Sequence, residues 1–214
     1  MTTEDKSKTP KKWAAPRAPK KGDDDERDTY AAVGLALSKW EQLEHQLGEI
    51  FLALIGYGRN VEAHRAYASI MANSGRLDMI NAAQEVFFLY RQSDEHQTIR
   101  KNLANLLSDV RALAGRRNEI AHGIVGIKPG DDWENFTDAS YVLAPSYFSQ
   151  KKRTLTVFGA SPNFGMLPDY EYGSAQIKAI AGWFASVKQP ATRIALAIRR
   201  QRHLERQASP ENST

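Results

Sequence analysis

Residues 93–123 read SDEHQTIRKNLANLLSDVRALAGRRNEIAHG. Within them Ile99, Leu103, Leu106, Val110 and Leu113 recur at alternating steps of four and three. That spacing lays one apolar stripe along a helix of 3.6-residue period. Ser93 is an N-cap residue, and Asp94 and Glu95 put negative charge in the first turn, where the helix dipole favours it. Gly123 is a natural terminator. The stretch therefore predicts a long amphipathic helix, and its stripe demands other helices to cover it.

Upstream, Val33, Leu37, Trp40, Leu43, Leu47, Ile50 and Leu54 keep the same period, predicting a helix of about 25 residues from Tyr30 that Gly56 and Gly58 stop. A shorter helix is expected over 61–72. Another, capped by Ser74, carries Leu77, Ile80, Val86, Phe87 and Leu89. Beyond Gly123 the period shifts toward two. Ile124–Ile127, Tyr141–Leu143 and Leu155–Phe158 are short runs separated by Pro129, Gly130, Pro145, Gly159 and Pro162, the pattern of a small antiparallel β element. Ser174 then caps a last helix with Ile177, Ile180, Phe184 and Val187, which Pro190 is expected to kink or split before Ile194 and Ile198. The fold class is mainly α: an antiparallel helical bundle with a β-hairpin-like insertion at about 124–172, before the last helix.

The helical domain is expected over 29–206, between a disordered tail at 1–28 and another at 207–214. In the first tail Lys6, Lys8, Lys11, Lys12, Arg17, Lys20 and Lys21 sit among Pro10, Pro16 and Pro19, ahead of the acidic run Asp23–Glu26. So little apolar surface does not offset the entropy of ordering. The stretch reads as a solvated linker, or as a loose RNA contact through its basic half.

The 214 residues leave room for one sizeable core plus tails, or at most two small domains, and include no cysteine, which excludes disulfides, thiolate nucleophiles and sulfur-ligated zinc. No apolar run approaches the ~18 residues of a membrane span, and no hydrophobic segment follows the charged N-terminus, so neither membrane nor secretion is expected. A cytoplasmic location fits this balance. The net charge of +4 leans mildly toward anionic partners.

The chemistry-bearing element is Arg116-Arg117-Asn118-Glu119-Ile120-Ala121-His122-Gly123. Extending the apolar stripe past Leu113 lands on Arg117. A cation in line with core leucines must pair, snorkel, or face a polar cleft or interface, because an unpaired buried charge is costly. Asn118 and His122, four apart, share a helix face, and His122 lies about 140° round from Arg117. Complementing the helix dipole and binding the last carbonyls would also account for Arg117 and His122.

Arg-Asn-x-x-Ala-His-Gly at the end of a long helix resembles the Arg-x(4–6)-His signature of the HEPN superfamily. Arg117 is the arginine, Asn118 the polar residue after it, and His122 the histidine; Arg116 would serve under a longer spacing but lies off the stripe. Trp40-Glu41-Gln42-Leu43-Glu44 is similar to the first helix of such proteins, with Glu44 as the inner acid. The resemblance covers the layout of residues 29–200, and about eight of them carry it specifically. It implies a metal-independent endoribonuclease acting as a homodimer without cofactor, with Arg117, His122, Asn118 and Glu44 as its site. It further implies a toxin, phage-defence or stress role, with an antitoxin or regulatory protein as partner. The alternative keeps the fold without catalysis, as an RNA-binding or protein-interaction module.

Arg116, Lys151, Lys152 and Arg153 are the RNA-binding candidates, the last three beside Tyr147 and Phe148 as a basic aromatic edge. A solvated turn is the competing reading of 151–153, and a solvated helix face that of Arg193, Arg199, Arg200, Arg202 and Arg206. Glu119-x-x-His122 fits a di-iron half-motif once, without a second copy. No phosphate-loop or dinucleotide fingerprint follows a strand.

Overall fold

A computed structural model of the chain describes residues 12–56, 61–128, 139–146 and 168–208. Among them are helices α1 (Glu26–Ile55), α2 (Val61–Ser69), α3 (Asn73–Phe88), α4 (Asp94–His122) and α5 (Ser174–Ala208). One antiparallel hairpin, β1 (Gly123–Lys128) and β2 (Ser140–Pro145), precedes α5. The protein is thus mainly helical with a small hairpin before its last helix. The run Leu155–Phe158 lies outside the described residues. The chain divides into two compact units, one built from Met1–Ala36 and Gly115–Ile180, the other from Leu37–Ala114 and Ala181–Thr214.

In the second unit the predicted stripes carry the core. Trp40, Leu43, Leu47, Ile50 and Leu54 of α1, Ile99, Leu103, Leu106, Val110 and Leu113 of α4, and Phe184, Val187, Ile194 and Ile198 of α5 are all buried. Trp40 meets Phe184 edge-on at 5.1 Å, and Phe51 stacks on Tyr67 at the same spacing, geometries that add to simple area burial. Helices α1 and α5 run in the same direction, since their partners climb together. Lys188 donates to Gln42 (3.2 Å), Thr192 to Gln46 (2.9 Å), Arg202 to the Ala53 carbonyl (2.9 Å) and Arg206 to that of Gly56 (2.9 Å). Helices so distant in sequence carry no short-loop constraint on their sense.

Three local expectations are corrected. Ser74 does not cap α3: the cap residue is Ala72, with extended backbone and no side-chain hydrogen bond. Arg76 instead turns back to the Ile70 carbonyl at 2.8 Å. Val86 and Leu89 stay exposed, and Phe88 joins Phe87 in the core. Pro190 does not split α5, which is unbroken over 35 residues. Ser186, Gln189 and Pro190 are exposed, so water can satisfy the carbonyl that the missing N–H leaves free.

In the first unit β1 pairs with β2 from Gly123↔Pro145 to Lys128↔Ser140. The other edge of β2 carries two single-residue bridges: Tyr141 exchanges backbone bonds with Asp23 (2.7 and 2.8 Å), and Leu143 with Tyr172 (2.8 and 2.9 Å). Residues 22–28, expected in the tail, therefore belong to the fold. The Asp23 carboxylate accepts from Ser174 N and Oγ, both at 2.7 Å, and from Thr29 Oγ1 at 2.5 Å. It thereby caps α5 and anchors α1. Burial pushes the Asp23 carboxyl up, but the bonds from Thr29 and Ser174 outweigh it and hold it below the usual carboxylate range.

Candidate functional site

The stripe of α4 continues past Leu113 through Arg117 to Ile120, which is 1% exposed. That places Arg117 half-buried. Its Nε is buried and has no hydrogen-bond partner. One terminal nitrogen donates to Asn118 Oδ1 at 3.3 Å, beyond the best range for such a bond. Among the described residues no carboxylate pairs with this guanidinium. A half-buried cation that no described carboxylate pairs with, holding an unsatisfied donor, is suited to accept an anion.

Arg116, one residue earlier, also has a buried Nε without a partner, but it holds a carboxylate. Its guanidinium pairs with Glu119 Oε1 at 2.8 Å and donates to the Tyr172 hydroxyl at 3.0 Å, and both ion-pair side chains are about one-fifth exposed. Tyr172 donates to Glu119 Oε2 at 2.6 Å, and Tyr170 donates to the Glu119 carbonyl at 2.7 Å. The two tyrosine rings stack at 5.1 Å. Burial, with the Glu119 charge behind it, pushes Tyr170 up to about 12 and raises Tyr172 as well. Both phenols therefore stay protonated donors at neutral pH. Of the adjacent arginines, Arg116 pairs with a carboxylate and Arg117, among the described residues, does not.

His122 is the last residue of α4 and is exposed, as is Asn118 on the same face. The chain passes at once into β1, and Gly123 makes this turn possible. A Cβ there would come within 2.8 Å of the Leu143 side chain and 2.9 Å of the Glu119 carbonyl, closer than real contacts allow. The glycine fixes His122 at the corner between helix and strand.

Glu44 lies in the second unit, and both of its oxygens are engaged. Trp40 Nε1 donates to Oε1 at 2.8 Å, and Arg76 pairs with Oε2. The side chains of Glu44 and Arg76 are only 13% and 21% exposed, so the pair is well sheltered. Glu44 thus has local partners for the charge that the sequence reading assigned to Arg117 or His122. Lys151, Lys152 and Arg153 lie outside the described residues. The sequence reading overlooked Tyr170 and Tyr172. Their signal was an aromatic alternation just ahead of Ser174, too short to stand out without knowing that it folds against the end of α4.

Comparison with protein-family models, with curated proteins and with solved structures returns no match.

Proposed function

We propose that the protein is a metal-independent endoribonuclease of the HEPN type, acting as a homodimer on RNA in the cytoplasm. The observation that carries this reading lies at the end of α4: among the described residues Arg117 pairs with no carboxylate, and His122 stands exposed five residues further on. The resemblance of Arg117-Asn118-x-x-x-His122 to the family signature supplies the reaction class. A toxin, phage-defence or stress role, with an antitoxin or regulatory protein as partner, rests on that resemblance alone.

The chemistry follows from the residue types. A neutral histidine removes the proton from a ribose 2′-hydroxyl, whose oxygen attacks the neighbouring phosphorus. The bond from phosphorus to the 5′-oxygen breaks, and a protonated histidine, the second copy in a dimer, supplies the leaving oxygen with its proton. Arg117 meets the phosphorane oxygens with a planar fork of donors that stays charged throughout. Asn118 orients the imidazole or donates to a phosphate oxygen. The products are a 2′,3′-cyclic phosphate and a 5′-hydroxyl. Glu44, already paired with Arg76, is left without a step.

The engagement of Glu44 favours a second reading, a non-catalytic RNA-binding or protein-interaction module on the same fold. Incubating the full chain with end-labelled RNA in excess EDTA separates the two. Cleavage leaving cyclic phosphate ends is the outcome expected of the enzyme. Binding without cleavage, in the presence of any co-purifying partner, would assign the module.

A further inference from the structure

In the second unit a cavity of about 230 Å³ opens where the end of α1 meets the last turns of α5. Its walls include Arg199, Arg202 and Arg206 of α5, Glu49 of α1, and His64 and His203. Three guanidiniums thus face one carboxylate. Arg199 pairs with Glu49. Arg202 and Arg206 have no carboxylate partner among the described residues. They donate to the last carbonyls of α1 instead, Arg202 to Ala53 at 2.9 Å and to Leu54, Arg206 to Gly56 at 2.9 Å.

Capping a helix C-terminus accounts for part of this arrangement. Carbonyls, however, offset only a fraction of a full charge, and one arginine is enough to cap. Each arginine also keeps donors to spare, since a guanidinium has five N–H groups. Burial pulls Arg202 below the usual arginine range, and the nearby charges of Arg91 and Arg206 act the same way, against the opposing pull of Glu205, which is itself paired with Arg91. The cavity is smaller than the ~300–1,000 Å³ of sites for drug-sized ligands, so it suits a compact anionic group rather than a whole cofactor.

We propose that this pocket binds a phosphate group, held by Arg199, Arg202 and Arg206, with the exposed imidazoles of His64 and His203 as further donors. Phosphate matches the arginine fork bidentately, which chloride or a lone carbonyl does not. The site belongs wholly to the second unit and does not depend on the ribonuclease reading of α4. The group can come from a small phosphate ester or from an RNA backbone.

The test is titration of the full chain with inorganic phosphate, read by calorimetry against chloride of matched ionic strength. Arg199→Gln and Arg206→Gln should each weaken binding by roughly tenfold, the usual effect of losing one charge-assisted bond. Glu49→Gln, which frees Arg199 from its carboxylate, should tighten it several-fold. That gain protects the test against variants that merely fold poorly. No saturable binding by the wild-type chain, or equal binding by all four proteins, would overturn the proposal. Competition by uridine 5′-monophosphate but not by a short RNA with hydroxyl ends would support a small ester as the source. Competition by that RNA would support the backbone.

Discussion

Replacing Asp23 with alanine removes one carboxylate that serves three donors at once. Ser174 N and Oγ each lie 2.7 Å from it and Thr29 Oγ1 lies 2.5 Å away. Losing the cap of α5 costs about 1 kcal/mol, within a range of 0.5–2. Thr29 is fully buried and Ser174 nearly so, and a buried donor left unpaired costs about 1–3 kcal/mol. Part of that is recovered if the Ser174 hydroxyl rotates toward a carbonyl, so the combined loss should be about 2–4 kcal/mol. The pH dependence has a definite sign. The Asp23 carboxyl is held below its ordinary value of 3.8 in the folded chain. Its contribution is therefore complete above that value and disappears as the pH falls through the lower folded value. Urea unfolding followed by circular dichroism at neutral and acid pH reads both effects. The gap between wild type and Asp23→Ala should close in acid. An Asp23→Ala chain within about 0.5 kcal/mol of wild type, the range of ordinary surface changes, would return residues 22–28 to the tail.

Pro190→Ala should raise stability by about 1–3 kcal/mol, since it restores a helical N–H inside the unbroken α5 and relieves the ring's crowding of the preceding turn; an unchanged urea midpoint would mean that the turn has already adapted to the ring. Gly56→Ala should lower the melting temperature, because Gly56 has φ +93° and a Cβ there would collide with the Arg202 guanidinium. Tyr172→Phe should cost about 1–3 kcal/mol by chemical denaturation, as it removes a buried donor to Glu119 and an acceptor for Arg116. Equal stability in that variant would show the Arg116–Glu119 pair sufficient without the phenol.

The legible part of the fold was that governed by local period. The α4 stripe from Ile99 to Leu113 is buried throughout, because 3.6-residue spacing is a property of the chain itself. The same pattern brought Arg117 into view as a charge on a core stripe. In the early turns of α1 the period is kept but the buried face is shifted by one residue from the predicted stripe. Bulky Val33 and Leu37 are half-buried, whereas Ala32 and Ala36 are fully buried. Close approach there favours the smaller side chain, and residue hydrophobicity alone does not reveal it. What sequence spacing left unseen was long-range pairing. Asp23 meets Ser174 across 151 positions, and Glu44 meets Arg76 across 32. An acidic run beside a lysine-rich segment reads as solvated until the fold places one of its carboxylates under a helix end. Glu44 reads as a site acid through its likeness to the first helix of HEPN proteins, and nothing in the sequence spacing marks Arg76 on α3 as its partner.

Binding and cleavage of one RNA, measured side by side for wild type, His122→Ala and Arg117→Ala in EDTA, test the α4 site most directly. His122→Ala should lose about 10²–10⁴-fold in cleavage rate, the usual worth of a general acid or base, while binding RNA within a few-fold of wild type. Arg117→Ala should lose cleavage and weaken binding together, as expected of a charge that would meet the phosphate in both ground and transition states. Cleavage by His122→Ala at the wild-type rate would contradict the account and remove His122 from the chemistry.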